Sequence, residues 1–556
     1  MTSLSDVPED RADGLIWHGR YDEAQEIIKT LPDTSVRKKL SLVSLKWCYS
    51  ITTGSVESLD EWQKSLDDAL ELCQGDSILG AVTGWVGGMF ASSDETEEMK
   101  KLEKQAARVI CNINYCIVSF LRDEKLNAGL YLKSAFTDVS TLPENLDGDG
   151  NRARFIRSVR KTWLGCFNLF LSYIPKDSWE NFLVGTLGFE TDRDKGKQLL
   201  KAASKEKGQH SMPYAKMFLT LQGLIEASQD FRAGKDEALK SAFQRMEATC
   251  KQFGKAPMYH WMTSQLQRVA GNIDKALEEM QAVREGIQDI ANKKPVYRIQ
   301  KEIAWCYFVK GGEFDKVVEL TKDHAFETNH VMRAWVTCLC ACGYGMLNDE
   351  ENYRKYFEVF KQDDSLVRTN LDRQLRSVAE MFLNMEDTKL AYLTLLFHFN
   401  QMNGQKPKHW FEQWLPHLAP TSDGSDSKEK ANAVENLDDF ENALRVFLRS
   451  VVFSGSGRED EAEAGFQAII DHYEKSSSHG EYFFVPNAYY ELAQYKCRRH
   501  IFANAKELCE KAKAFSGFHF YQNFSMRRKS LADYVEEMMK QVAEKGVQDS
   551  GGIDDY

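Results

Sequence analysis

Gly19–Arg20–Tyr21–Asp22–Glu23–Ala24 is the stretch on which the fold is read, because it returns as Gly271–Asn272–Ile273–Asp274–Lys275–Ala276. A small residue is followed by a bulky apolar one two places on and by a second small residue five places on. Gly312–Glu313–Phe314–Asp315–Lys316–Val317 and Gly457–Arg458–Glu459–Asp460–Glu461–Ala462 are degenerate copies; His500–Ile501–Phe502–Ala503–Asn504–Ala505 keeps the last two features. The pattern is that of the turn in a tetratricopeptide-type helix hairpin. Glycine lets the backbone reverse, the apolar side chain wedges between the helices, and the small residue lets them approach closely. The spacing predicts an all-α chain, an α-solenoid of tetratricopeptide-like hairpin repeats wound into a superhelix.

Working outward, Tyr489, Leu492, Ala493 and Ala512 stand at the offsets from Ala505 where the two helices of such a repeat touch. Ser450, Phe453 and Phe466 surround Ala462 in a second copy. Apolar residues recur with a period of about 3.6 over most of the chain. Only 11 prolines occur, and Pro143, Pro175, Pro213, Pro257, Pro295 and Pro486 stand beside expected helix ends. Two turn-rich breaks, Pro143–Gly150 and Pro420–Lys430, interrupt the pattern without ending it. The expected organisation is N-terminal helical repeats over 1–142, a loop at 143–152 and central repeats over 153–420. A flexible loop at 421–430, tetratricopeptide repeats over 431–545 and a disordered tail at 546–556 complete it.

The 556 residues carry 83 acids and 71 bases, a net charge of −12, which argues against general nucleic-acid binding. The start has neither a secretory signal nor an arginine-rich presequence, and 12 scattered cysteines suit a reducing compartment, so a cytoplasmic protein is expected. The longest uncharged run, Ser77 to Ser93, carries four glycines and falls short of the ~20 apolar residues of a membrane span. Its Gly80, Gly84 and Gly88 fit a close helix crossing or a glycine-rich loop.

Phosphate-loop, zinc-protease and serine-hydrolase signatures are missing. Asn145, Asp147, Asp149 and Gly150 occupy calcium-loop positions, but Ile156 stands where the bidentate Glu belongs. Cys338, Cys340 and Cys342, with His324 and His330 upstream, read as small hydrophobes at helix contacts rather than zinc ligands. No enzyme, cofactor or metal site is expected. The candidate contact surface is a basic amphipathic helix: Arg154, Arg157 and Lys161 share one face with Arg160 beside it. Phe155, Val159 and Trp163 share another. Such a helix can hold an acidic peptide or lie on an anionic membrane, or it is an ordinary packed helix with a solvated face. Arg527, Arg528 and Lys529 form a second short basic cluster.

Gly165-Cys-Phe-Asn-Leu-Phe-Leu-Ser-Tyr-Ile-Pro175, then Leu187-Gly-Phe189 and Asp192-Arg-Asp-Lys-Gly196, resembles the signature of the tetratricopeptide repeat protein 39 family, related to the fungal inclusion-body clearance proteins. Looser agreement extends from about Leu102 to Leu531, including Leu121–Glu124 and Pro486–Leu492. Arg157 to Thr162 replaces a glycine pair that the family usually carries. The resemblance implies a helical-repeat protein without enzymatic activity, linked to lipid homeostasis and to clearance of protein inclusions. The block itself reads as core that locks two helix pairs together. The expected function is a protein-interaction scaffold or adaptor gripping a peptide or helix in a concave groove. The alternative is a peripheral factor on an organelle membrane or lipid droplet.

Overall fold

The computed structural model describes residues 7–74, 96–148, 150–174, 191–206, 210–229, 231–232, 234–254, 256–327, 331–399, 401–402, 406–419, 437–474 and 482–544. The run 77–93, the loop 421–430 and the tail 546–556 lie outside the described residues, as do Pro175, the Leu187–Phe189 pair of signature positions, Asp149 and His330. Among the described residues the architecture is helical, with no strand. Consecutive helices pack as antiparallel hairpins: Pro8–Trp17 with Tyr21–Thr30, Val36–Thr53 with Val56–Gln74, Glu97–Leu121 with Lys125–Thr141, and Asn151–Leu171 with Arg193–Ala203. The series continues through Met212–Ala227 with Lys235–Phe253, Pro257–Val269 with Ile273–Gly286, Tyr297–Lys310 with Phe314–Thr321, and Arg333–Met346 with Glu350–Gln362. After Asn370–Leu383 and Thr388–His398, two further hairpins, Phe440–Gly455 with Glu459–Glu474 and Phe484–Arg498 with Phe502–Lys513, lead to the final helix Tyr521–Glu544. The hairpin solenoid read from the turn motif is the fold.

The turns show why the motif has its composition. Gly19, Gly271, Gly312 and Gly457 all take left-handed backbone, with φ of 74°, 76°, 84° and 80°. Past three of these turns the next N–H reaches back five residues: Arg20 N to Leu15 O at 2.9 Å, Asn272 N to Gln267 O at 2.8 Å, and Arg458 N to Phe453 O at 2.9 Å. That bond caps the first helix with a Schellman turn. His500 adopts the same conformation (φ 61°) without being glycine, and Ile501 N closes the turn on Lys496 O at 2.9 Å. Two further copies carry no glycine: Asp123 (φ 62°), with Glu124 N to Ser119 O at 2.8 Å, and Asn348 (φ 59°), with Asp349 N to Tyr344 O at 3.0 Å. Asn and Asp tolerate this region better than other side chains, which is the signal by which the two can be found. The contact residues Ala24, Ala276, Val317, Ala462 and Ala505 are all buried, and so are the wedges Tyr21, Ile273, Phe314 and Phe502.

The signature block is a helix crossing. Gly165 and Gly196 face each other: a Cβ on Gly196 would stand 2.6 Å from the Leu169 nitrogen, and one on Gly165 would stand 3.1 Å from the Gly196 carbonyl oxygen. Asn168 Oδ1 accepts from the Asp192 N–H at 3.1 Å, and the Asp192 carboxylate caps the next helix through the Asp194 and Lys195 N–H groups, each at 3.0 Å. Arg193 lies over the Tyr173 ring at 4.4 Å and donates to Ser172 Oγ at 3.3 Å. The signature therefore encodes one close contact and its polar seal. Arg157 to Thr162, which replaces the family's glycine pair, lies inside the continuous helix Asn151–Leu171.

The superhelix closes on itself. The first hairpins pack against central ones: Asp13 meets His210 at 3.0 Å, Lys294 meets Glu61 at 2.7 Å, and Val331 N donates to Gly54 O at 3.0 Å. Asp13, buried with Arg37 and Ser41, would have a raised pKa from burial alone; the charges of His210 and Arg37 outweigh this and hold it low. The helix Thr388–His398 is part of the core: every residue of Leu390–His398 is buried, and Tyr392 OH donates to Phe308 O at 2.7 Å. Trp410 Nε1 donates to Val309 O at 2.9 Å, and Trp414 lies against Gly311, so this part of the chain packs on the end of the Tyr297–Lys310 helix. His398 stacks on Phe520 at 4.3 Å and also contacts Phe483; burial, helped by the charge of Arg527, pulls its pKa well below the usual 6.5.

These contacts make three predictions. Ala505→Leu overpacks a hairpin and lowers stability by about 1–3 kcal/mol in denaturant unfolding. Gly196→Ala forces the two signature helices apart and destabilises by a similar ~1–3 kcal/mol, whereas Gly129→Ala, in a helix with open space around the glycine, meets no neighbour. Because the folded protein disfavours protonated His398 while the unfolded chain does not, stability is complete above about pH 6.5 and declines as pH falls below it. A His398→Phe variant should show a shallower decline in melting temperature between pH 6.5 and 5.

Candidate functional site

The basic helix proposed from the sequence is Asn151–Leu171, and its charges are engaged by its own surroundings. Arg157 donates to the carbonyls of Leu146 and Gly148 at 2.8 and 2.6 Å, and Arg160 donates to that of Leu142 at 3.0 Å. Lys161 pairs with Glu206, and Arg154 bonds to Asn151. All four are partly buried, and two of them pin the turn-rich loop that precedes the helix. The apolar face is in the core. Phe155 lies under Arg37 at 4.4 Å and edges onto His210, Val159 is buried, and Trp163 joins Tyr214 and Phe218. For this helix to lie on a membrane, Phe155, Val159 and Trp163 would have to leave that core. No helix among the described residues is long and apolar enough to cross a membrane.

Cys338, Cys340 and Cys342 are buried along the helix Arg333–Met346, where desolvation raises all three thiol pKa values, that of Cys340 to about 11. They act as small core residues at helix contacts. In the second basic cluster Arg528 is buried, and Arg527 lies between the Phe397 and Tyr490 rings at 5.3 and 4.8 Å while reaching Glu491 at 3.3 Å.

A recess that no sequence motif marks lies further along. The end of the helix Asn370–Leu383, the start of Phe440–Gly455, the Tyr482–Phe483 pair and His519 surround a cleft of about 1060 Å³. Helix starts shape it. Asp387 caps the Lys389 N–H at 3.0 Å, and Asp439 caps the Asn442 N–H at 2.9 Å. Glu441 accepts from the backbone N–H groups of Glu386 and Asp387 at 2.6 and 3.2 Å, tying the two helix pairs together. Buried Arg445 neutralises Asp387 at 2.9 Å. Four carboxylates thus border the cleft against Lys389 and Arg445, and Glu386 is exposed at the rim. His519 sits at one end with Nδ1 3.0 Å from Ser377 Oγ; burial lowers its pKa. Ser377 already donates its proton to the Gln374 carbonyl at 2.8 Å, so the imidazole is the donor and the pair is no base-activated nucleophile. The cap residues Asp387 and Asp439 are legible in sequence; their convergence across some fifty residues is not.

Comparison with curated proteins returns no match. The model of the Iml2/Tetratricopeptide repeat protein 39 family matches residues 133–454, a narrower span than the loose agreement read from about Leu102 to Leu531. That span contains the glycine crossing of residues 165 and 196 and ends within the helix that forms one wall of the cleft. With more than half of its length inside the match and with stacked helix hairpins throughout, the chain belongs to the Iml2/Tetratricopeptide repeat protein 39 family and is a helical-repeat scaffold of the tetratricopeptide type.

Proposed function

We propose that the protein is a non-enzymatic interaction scaffold whose protein partner seats in the cleft bordered by residues 381–389, 439–445 and 482–483. The observation supporting this is the recess itself, an open cleft of about 1060 Å³ between hairpins with charged side chains along its border. Its charge defines the partner. With Asp387 neutralised by Arg445, the rim carries Glu386, Asp439 and Glu441 against Lys389, so a lysine- or arginine-bearing peptide or helix of another protein fits best. The partner would replace the groove ligand of simpler repeat arrays with one held at a hairpin junction. The family resemblance supports a role for this scaffold in lipid homeostasis or inclusion clearance, with the cytoplasm as its compartment.

Glu386→Lys reverses one rim charge and Asn384→Lys adds a positive one, both at exposed positions, where substitution ordinarily shifts stability by no more than about 0.5 kcal/mol. Proximity labelling in cells with the wild-type and double-variant chains should lose a defined set of neighbours from the variant, at unchanged melting temperature. An identical neighbour set from both chains would reject the cleft as the contact.

A further inference from the structure

A second cavity, of about 340 Å³, forms where helices far apart in sequence converge. The C-terminal end of Glu97–Leu121 meets Pro257–Val269, the first turns of Tyr297–Lys310 and Arg333–Met346, and the start of Asn370–Leu383. Aromatic walls come from Trp261 and Trp335, and Phe120, 61% exposed, stands at the edge. The polar lining includes Arg298, Lys301 and Asp372.

The charges around this cavity do not balance. Glu302 is fully engaged, with Lys301, with Arg268 at 3.3 Å and with Gln265 at 3.1 Å. Burial alone would raise its pKa, but the charges of Lys301 and Arg268 hold it down at about 2. Asp372 is occupied by the backbone N–H groups of Arg368 and Thr369, at 3.0 and 2.8 Å. Arg298, on the cavity wall, has its buried Nε without a hydrogen-bond partner, and the charges of Glu302 and Lys301 reach it only through their fields. Behind the same wall Arg333 is 2% exposed, and none of its three guanidinium nitrogens has a hydrogen-bond partner. The indole N–H groups of Trp261 and Trp335 are likewise unpartnered. Arginine cannot shed its proton to escape burial, and an uncompensated buried charge costs several kcal/mol. Five cations, Arg268, Arg298, Lys301, Arg333 and Arg368, thus face three carboxylates, Glu302, Asp363 and Asp372, and the buried unpartnered atoms of Arg298, Arg333, Trp261 and Trp335 are all donors.

We propose that this cavity is a binding site for a small amphipathic organic anion, with its carboxylate or phosphate head on Arg298 and its apolar body between Trp261 and Trp335. The volume lies at the small end of ligand sites, ~300–1,000 Å³, and aromatic walls with a few convergent donors are the usual makeup of such sites. Guanidinium is suited to both head groups because its fork matches two oxygens. The head would supply the acceptor that no protein group offers, and the field of Arg333 would strengthen its hold from behind. Because the walls come from five separate helices, occupancy would also tie the N-terminal hairpins to the centre of the chain. The site is independent of the acidic cleft and of any partner bound there.

The full chain is titrated separately with octanoate, phenyl phosphate, inorganic phosphate and octanol, following tryptophan fluorescence and melting temperature. Saturable fluorescence change and a raised melting temperature are expected with octanoate or phenyl phosphate, and whichever binds more tightly identifies the head group. Inorganic phosphate, without a body, and octanol, without a charge, should bind at least tenfold more weakly. Arg298→Gln keeps the stem that packs on Gly54 and removes the cation, so it should fold with an equal or higher melting temperature yet lose at least tenfold in affinity. Arg333→Met should weaken binding in the same direction. No saturable response to either amphipathic anion at millimolar concentration, or unaltered binding by Arg298→Gln, would overturn the proposal.

Discussion

Close approach of helix backbones at positions without bulk is the constraint on which this structure rests. At the hairpins of Gly19, Gly271, Gly312, Gly457 and His500 a buried alanine or valine lies where the second helix crosses the first, and at the signature crossing both helices contribute glycine. Dispersion falls off steeply with distance, so a gap of even one methylene group forfeits much of the contact, and an extra methylene forces the axes apart. Because each hairpin sets the angle for the next, an error at one crossing is passed on to the superhelix. The polar seal around the Gly165–Gly196 contact, made by Asn168, Asp192, Ser172 and Arg193, keeps that crossing in register by satisfying backbone groups that the close approach would otherwise strand.

In an open solenoid each repeat touches only its neighbours, and stability adds up along the chain. Here the curvature brings distant hairpins together. Buried charge joins distant hairpins at Asp13–His210 and neighbouring ones at Asp13–Arg37 and at Arg268–Glu302–Lys301. Such pairs discriminate sharply between right and wrong register, since a misplaced partner leaves a charge stranded. The cationic cavity lies where this closure brings the Glu97–Leu121 helix to the centre of the chain, whereas the acidic cleft lies between helices that follow one another.

The repeat pattern was readable because it is local. Glycine, wedge and small residue sit within six positions, and left-handed backbone at Gly19, Gly271, Gly312 and Gly457 follows from that spacing. The turns at Asp123 and Asn348 escape the pattern because an Asx residue does glycine's work there. The basic face of Arg154, Arg157, Arg160 and Lys161 illustrates the opposite limit. Periodicity identifies which side chains share a face, but not that the Leu142, Leu146 and Gly148 carbonyls and the Glu206 carboxylate would be waiting for them. The apolar stripe of Phe155, Val159 and Trp163 was correctly seen as a stripe; that the core covers it was not encoded nearby.

By itself the sequence determined the helices, their hairpin pairing, the crossing points and the family signature, all of which depend on residues a few positions apart. Only the tertiary structure decided that the first hairpins pack against central ones and that the helix Thr388–His398 is buried on all faces. Tertiary structure also decided that carboxylates from two segments border one cleft, while Arg298 Nε and the Arg333 guanidinium remain without acceptors at another junction. The physical reason is range. Backbone turns and helix faces are set by neighbours along the chain, whereas burial and charge balance are set by whichever distant surface the accumulated curvature brings into contact.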